Sequence, residues 1–284
     1  MTRWNNLALG ATTGRRGALR SSEWLAIAYF FYVAALAPFY IRAPWRALAL
    51  AALVASGFWL VSRWRSPVRD FAPLAAAILG YREMDWFTPA VHDHRLEKVW
   101  IAWDRLALDR WGLRPAIESA GVLVPDFLEL CYTLVYAVAP AAMIVLFANA
   151  KREGVNRFCL AYLAGTLGAY ALFPYFPSEP PRIVFPGADL PHVNAAVRAI
   201  NMAIVGGYGI HSSVFPSAHV SSAFSAAWAL LAILPGRRWI GLTFTGYAVC
   251  VAIATVYGRY HYGVDALAGL GVSLAALVAL RLSP

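Results

Sequence analysis

Seven long apolar runs dominate the sequence and restrict the chain to folds that suit a membrane. They lie near residues 24–41, 45–62, 123–148, 155–174, 217–234, 239–257 and 263–281. About 20 consecutive apolar residues are enough for a helix to cross the hydrocarbon core of a bilayer. The runs therefore predict an all-α, polytopic membrane bundle.

The composition agrees with a membrane environment. The chain is 60% hydrophobic and 14% charged, whereas soluble domains average about 45–50% apolar and 25% charged residues. The net charge of +9 could indicate nucleic acid, but the arginines flank the apolar runs, where they favour topology determinants and headgroup anchors. We expect membrane lipids, and no nucleic acid, as partners.

The remaining polar and sulfur-bearing residues add few constraints. Cys131, Cys159 and Cys250 lie inside apolar runs, which predicts small buried hydrophobes rather than disulfides or zinc ligands. The first apolar run is longer than a signal-peptide core and is interpreted as a retained anchor.

A shorter apolar run, residues 70–81, decides the predicted topology. If it crosses, eight helices place both termini on one side, together with most arginines of the short loops and chain ends. The positive-inside rule makes that side cytoplasmic, so loops 82–122 and 175–215 lie on the opposite face. The basic residues expected on the cytoplasmic side are Arg3, Arg15, Arg16, Arg20, Arg63, Arg65, Arg69, Lys151, Arg152, Arg157, Arg237, Arg238 and Arg281.

The segment Pro216-Ser217-Ala218-His219 opens a later apolar run with polar residues that a membrane helix does not need. Pro216 stiffens the helix entry, and Ser217 suits a helix cap or a phosphate ligand. Free backbone N–H groups at a helix start, including that of Ala218, attract an anion. His219 would lie close to such an anion, although alone it is equally well explained as a solvated interfacial histidine.

The segment from Tyr257 to Asp265 joins the last two runs and contains a second polar group of residues. His261 and Asp265 are four apart, so on a helix they share a face. A carboxylate on one imidazole nitrogen fixes the tautomer and leaves the other nitrogen as a nucleophile. Arg259 adds a cation that suits phosphate oxygens, although ionisable residues at a membrane surface also pair or snorkel without further function.

A third polar segment, Glu179-Pro180-Pro181-Arg182, follows the apolar run that ends near residue 174. All three segments lie at helix ends on the same predicted side. In this order and spacing they resemble the motifs of the type 2 phosphatidic acid phosphatase/haloperoxidase superfamily, over roughly residues 70–281. The resemblance implies a membrane enzyme that forms a covalent phosphohistidine and needs neither a metal nor another cofactor.

The resemblance also implies a division of the chain and roles for single residues. Residues 67–284 would form the catalytic bundle of about six core helices, and residues 1–66 a cytoplasmic N-terminus and two extra transmembrane helices. His261 would attack phosphorus, Asp265 would orient it, and His219 would exchange protons with the leaving and accepting oxygens. Arg182, Ser217, the amide of Ala218 and, less directly, Arg259 would hold the phosphate oxygens.

Besides a proline that precedes Arg182 instead of following it, two positions depart from the commonest phosphatases of this superfamily. Tyr175 stands where those enzymes carry a lysine seven residues before the arginine, and Thr255 stands six residues before the last histidine in place of an arginine. The compact pattern of this chain is more similar to the inositol phosphorylceramide synthase branch, as is the pair Asp104-Arg105. It consists of Pro-Pro-Arg at residues 180–182, Pro-Ser-x-His at 216–219 and His-Tyr-x-x-Asp-x-x-Ala-Gly at 261–269. That branch transfers a phosphorylated headgroup between lipids.

Several other polar residues are explained without a catalytic or metal-binding role. His92 and His94 lack clear third and fourth metal ligands, so a solvated interfacial loop is favoured over a metal site. For Asp126 and Glu129, charge compensation at a helix start is favoured over a position inside the bundle. The tryptophans of loop 82–122 favour anchoring at the membrane surface.

Three functional hypotheses follow. The first is a lipid phosphotransferase that moves a phosphoryl group or phospho-headgroup from a phospholipid to a hydroxyl acceptor. The second is a lipid phosphate phosphatase, for phosphatidic acid or a polyprenyl phosphate, with water as acceptor. The third is a non-catalytic transporter or scaffold. In each case the protein would lie in a plasma or inner membrane, with its site on the non-cytoplasmic face; donor, acceptor and oligomeric state remain open.

Overall fold

The computed structural model describes residues 17–64 and 66–282, and within these ranges it contains helices and turns but no strand. The all-α prediction is confirmed for this part of the chain. The α-helices are α1 (Ser21–Tyr40), α2 (Trp45–Val61), α3 (Pro67–Met84), α4 (Arg95–Arg105), α5 (Leu113–Glu118), α6 (Leu123–Leu134), α7 (Val138–Ala148), α8 (Val155–Tyr170), α9 (Pro181–Val184), α10 (Ala196–Tyr208), α11 (Ala218–Ile233), α12 (Arg238–Tyr257) and α13 (Gly263–Leu282).

Within the described residues, four helical stretches are long and apolar enough to cross a membrane, as expected of an integral membrane protein. They are Ser21–Tyr40, Leu123–Ala148, Arg152–Tyr175 and Pro235–Tyr257. The second of these combines α6 and α7, which a short 3-10 turn joins. Three shorter apolar helices accompany them, Trp45–Val61, Ala218–Ile233 and Gly263–Val278.

One end of the bundle is held by a group of buried ion pairs, here called the ion-pair cluster and formed by Arg20, Glu23, Arg69, Asp70 and Arg152. Arg69 binds both carboxylate oxygens of Glu23 at 2.7 Å. Asp70 receives Arg20 on one oxygen and Arg152 on the other, each at 2.8 Å. The cluster therefore fastens the starts of α1, α3 and α8 at the same end of the bundle.

The opposite ends of these helices meet again at the other end of the bundle. Tyr40, at the end of α1, packs on Phe87 and Tyr175, with ring centroids 5.8 and 6.4 Å away. Near the end of α3, the Tyr81 hydroxyl accepts a hydrogen bond from the Ile210 amide at 3.2 Å. Helix α3 thus extends from the ion-pair cluster to the far end, although its apolar run is short.

The sidedness of the bundle and the division at residues 66 and 67 stay predictions. Helices α1 and α2 pack on α3 and α8 through one shared apolar cluster. Four arginines of the topology prediction lie outside the described residues: Arg3, Arg15, Arg16 and Arg65.

Helices α8, α11, α12 and α13 form the centre of the bundle, and one close approach there positions the site. A Cβ atom on Gly269 of α13 would lie 2.4 Å from the carbonyl oxygen of Ser217. Because only glycine permits this approach, the start of α11 can rest directly on α13.

Candidate active site

The structure brings the three polar motif segments together at the end opposite the ion-pair cluster. The Ser217 amide donates to the Asp265 carbonyl at 2.9 Å, which joins the starts of α11 and α13. The Arg182 amide donates to the Arg259 carbonyl at 3.2 Å. Backbone contacts therefore link the second motif to the third and the first to the third.

His261 lies between two oxygen acceptors that orient its ring. Its Nδ1 is 2.9 Å from the carbonyl oxygen of Val214 and 3.3 Å from Asp265 Oδ2. A carbonyl oxygen can only accept, so Nδ1 carries the proton and Nε2 keeps its lone pair. The His261–Asp265 pair predicted from spacing is present, and the Val214 carbonyl is an additional partner.

Burial sets the charge state of this imidazole. His261 is 6% exposed, and burial, together with the nearby Arg182 charge, lowers the pKa of His261 to about 3, against a smaller opposing effect of the Val214 carbonyl. A neutral ring with a free nitrogen lone pair is the form that can act as a nucleophile.

Asp265 is held by the turn that precedes its helix. Its Oδ2 also accepts the Tyr262 amide at 2.9 Å. Among the described residues, no group donates to Oδ1, although the side chain is fully buried. The carboxylate is therefore fixed through one oxygen, the one that faces His261.

His219 lies in an aromatic pocket beside His261. The two imidazole centroids are 5.6 Å apart. The Tyr132 ring stacks on His219 at 5.0 Å and 12°, and the Tyr136 hydroxyl is 3.4 Å from His219 Nε2. The two imidazole rings therefore meet edge to face, and the tyrosines restrict how His219 can turn.

Arg182 enters the same space from the first motif. Its guanidinium lies over the Tyr260 ring at 5.5 Å and lines the cavity that His219 and His261 also line. Within the described ranges, no carboxylate lies within ion-pair distance of it. Its charge is thus available to an anionic ligand.

Ser217 and Ala218 take different positions at the start of α11. The Ser217 hydroxyl caps the helix by accepting the Val220 amide at 3.4 Å. Ser217 is fully buried and is absent from the cavity wall, whereas Ala218 lines it. The helix start reaches the cavity through Ala218, and Ser217 supports it as a cap.

Arg259 is directed away from the cavity. Its side chain is fully buried, and Nη1 donates to Asp104 Oδ2 at 2.8 Å. The residue adopts a left-handed backbone conformation with φ of 62°. The sequence pattern placed Arg259 with the phosphate ligands; the structure instead places its guanidinium on a carboxylate from α4.

Arg182, His219 and His261 line a common cavity of about 420 Å³. Beyond the polar end, its wall is aliphatic and aromatic and includes Leu74 and Ile78 of α3 and Val205 of α10. The cavity therefore combines a cationic and imidazole end with a long apolar side, which suits an amphiphilic ligand with an anionic head.

Sequence reasoning missed a buried network behind this wall, centred on Glu129. The carboxylate, 2% exposed, binds Arg198 at 2.7 Å, Asn201 at 2.7 Å and the Tyr260 hydroxyl at 2.5 Å. Glu129 faces the bundle interior, so charge compensation at a helix start does not explain it. No local signal could have found these partners, because they are distant in sequence.

The histidine pair of loop 82–122 is engaged with the protein. His92 Nε2 is 3.1 Å from the His211 carbonyl, and His94 lies 3.5 Å from Glu97 and 3.6 Å from Glu179. In the part of the chain that the structure describes, no three metal-ligand side chains converge.

Comparisons with known proteins identify the family. The model of the PAP2 superfamily matches residues 105–279, which is more than half of the chain. A PA-phosphatase related-family protein from Dictyostelium discoideum is 30% identical over 136 residues, 44% of this chain. The chain spans only 23% of the length of that relative. No solved structure matches the chain. With its motif segments gathered at one site and its family match over most of the bundle, the chain belongs to the PAP2 superfamily.

Proposed function

We propose that the protein is a membrane lipid phosphotransferase that works through a phosphohistidine on His261. Membership of the PAP2 superfamily suggests a lipid phosphatase or phosphotransferase. The observation that carries the proposal is the environment of His261. Its Nδ1 is engaged by Val214 and Asp265, which leaves Nε2 for a ligand in the cavity beside Arg182.

In the first half-reaction, Nε2 of His261 attacks phosphorus while the bond from phosphorus to the leaving lipid oxygen breaks. Asp265 keeps the proton of the ring on Nδ1 and offsets the positive charge that the ring gains. His219 in its protonated form donates a proton to the leaving oxygen and becomes neutral. Arg182 and the amides at the start of α11 stabilise the charge on the phosphoryl oxygens.

In the second half-reaction, His219 removes a proton from an acceptor hydroxyl. The acceptor oxygen then attacks the phosphohistidine, the nitrogen–phosphorus bond breaks, and His261 returns to its neutral form. The proton that His219 gave to the leaving oxygen is thus replaced by one from the acceptor. The cycle needs only the side chains already named.

The two departures from phosphatase motifs support transfer over hydrolysis. The Tyr175 hydroxyl pairs with the Tyr32 hydroxyl at 2.9 Å, away from the cavity wall. Thr255 is fully buried and its hydroxyl donates to the Ala252 carbonyl at 2.9 Å. Neither position supplies the cation that the phosphatase pattern has there. The compact motif pattern of this chain is similar to that of the inositol phosphorylceramide synthase branch, and this similarity supports a polyol or lipid hydroxyl as acceptor.

Hydrolysis is the second candidate, favoured by the name of the Dictyostelium relative, which describes a PA-phosphatase related protein. It uses the same first half-reaction and differs only in the acceptor, which would be water. The positive-inside pattern of the arginines supports a site on the non-cytoplasmic face of a plasma or inner membrane in both cases, with both termini in the cytoplasm.

The acceptor decides between the two. Purified protein in lipid nanodiscs is incubated with a radiolabelled phospholipid donor, alone and with inositol, glycerol or ceramide. A labelled product that appears only with one acceptor supports transfer, and release of inorganic phosphate regardless of acceptor supports hydrolysis. Equal product formation by the His261→Asn variant would reject both.

A further inference from the structure

Helix α4 presents one buried face to the site. Glu97, Trp100 and Asp104 are spaced three and four residues apart, so they share one side of the helix. They are 1%, 7% and 4% exposed. These three residues precede the part of the chain that the family model covers, yet each of their side chains contacts a motif segment or the residue next to one.

Glu97 contacts the first segment. Its Oε1 accepts the backbone amide of Glu179 at 3.0 Å, three residues before Arg182. Because Pro180 and Pro181 restrict the chain between them, a fixed Glu179 amide limits where Arg182 can lie.

Trp100 contacts the segment that enters α11 and also the third segment. Its ring stacks on Phe215 at 5.3 Å and 24°, and it meets Tyr262 edge-on at 5.5 Å. The ring thus fills the space between the residue that precedes Pro216 and the residue that follows His261.

Asp104 contacts the third segment at two points, on either side of His261. Oδ2 accepts Arg259 Nη1, and Oδ1 accepts the Gly263 amide, both at 2.8 Å. A Cβ atom on Gly263 would lie 3.1 Å from Oδ1, so the absence of a side chain there permits the approach. Asp104 therefore caps α13 from outside and closes the turn that carries His261.

We propose that the inner face of α4 is the positioning element of the active site, in which Glu97 places Arg182, Asp104 places His261 and Trp100 fixes the spacing between Phe215 and Tyr262. This inference rests on the proposed function. It assigns Arg259 to the turn that carries His261 and not to the phosphate. The neighbouring Arg105 binds Asp189 through two hydrogen bonds of 2.9 and 2.6 Å and supplies a matched ion pair that makes no hydrogen bond to a motif segment.

Measurements of kcat, KM and the inhibition constant of inorganic phosphate distinguish the role of Asp104 from that of Glu97. Asp104→Ala displaces the nucleophile, so kcat falls about 10- to 100-fold while the inhibition constant of inorganic phosphate changes less than about threefold. Glu97→Ala displaces the phosphate ligand, so KM and that inhibition constant rise about tenfold with a smaller change in kcat. Asp189→Asn should leave both constants at the wild-type values.

Arg259→Gln distinguishes positioning from phosphate binding. If Arg259 acts through Asp104, its effect on kcat is not additive with that of Asp104→Asn, and the phosphate inhibition constant stays unchanged. Additive effects with weaker phosphate inhibition in Arg259→Gln alone would overturn the inference. Loss of folded protein with unchanged constants for the folded fraction would also overturn it, because that result describes a purely structural pair.

Hydrogen exchange gives a readout that does not depend on activity. Asp104→Asn should speed amide exchange in the peptide that covers residues 258–264, and Asp189→Asn should not. If amide exchange of residues 258–264 is unchanged in Asp104→Asn, the positioning role is overturned, whatever the activity of that variant. Turnover that survives His261→Asn, with faster exchange in Asp104→Asn, instead rejects the proposed function and leaves α4 as the support of the turn.

Discussion

The two ends of the bundle both contain buried charge, but they use it differently. In the ion-pair cluster, Glu23 and Asp70 each have both carboxylate oxygens bonded. At the site end, Arg182 has no carboxylate partner among the described residues, and Asp265 Oδ1 accepts no hydrogen bond there.

This contrast separates structural charge from functional charge. Leaving a buried polar atom without a partner costs free energy, so a cluster that serves only to join helices has a partner for each of its carboxylate oxygens. A site that binds and releases an anion must keep some hydrogen-bonding groups without a protein partner. The ion-pair cluster should therefore govern stability, and the His261 end should govern turnover.

The largest expected effect is on turnover at the site end. His261→Asn should lower kcat about 10⁴-fold or more, because it removes the attacking nitrogen. The free energy of unfolding should change by less than about 1 kcal/mol, since asparagine can still donate to the Val214 carbonyl. Activity is measured with a lipid phosphate, and stability by chemical unfolding in micelles. A large loss of stability would erase the contrast between the two ends.

His219→Ala should come next. We expect a loss of about 10²- to 10⁴-fold with a lipid donor, because protonation of a poor leaving group is lost. With p-nitrophenyl phosphate, whose leaving group needs no proton, the loss should be much smaller. The ratio of the two losses is the measurement, and equal losses would contradict a role as acid.

The ion-pair cluster should show the opposite behaviour. Arg69→Ala leaves Glu23 buried without its guanidinium and should lower stability by about 3–5 kcal/mol. Turnover per folded molecule should match wild type, because the cluster lies at the far end of α3. Arg63→Ala is the control: Arg63 lies over the Trp59 ring at 3.7 Å, and its loss should cost less than about 1 kcal/mol.

The smallest effect concerns pH. The pKa of His261 is lowered to about 3, mainly by burial, whereas an unfolded histidine titrates near about 6.5. Between these values the unfolded chain binds a proton that the folded chain does not, so stability rises with pH. From pH 5 to 7 the rise due to His261 should be about 1–2 kcal/mol, and it should be missing in His261→Asn. Parallel pH profiles for the two proteins would show that the ring is not held neutral.

The sequence predicted the local parts of the site because they depend on short-range geometry. The cap at Ser217 and the position of all three segments at helix ends follow from the pattern of apolar runs. The spacing of four residues predicts the His261–Asp265 pair, although His261 lies on the turn before α13 and not on the helix itself. Arg259 could not be assigned this way, since its partner Asp104 is 155 residues away. The same applies to Trp100: the sequence pattern predicts that it anchors at the membrane surface, but the structure buries it against Phe215.

Helix α4 also has an outer side, where Leu96, Val99 and Trp103 are exposed. Such a face suits the headgroup layer of a bilayer, while the inner face is bonded to the turn that carries His261. A shift of this helix in the plane of the headgroups would therefore move that turn. Under the proposed function, we expect the lateral pressure of the surrounding lipid to be an additional variable that sets the rate of turnover.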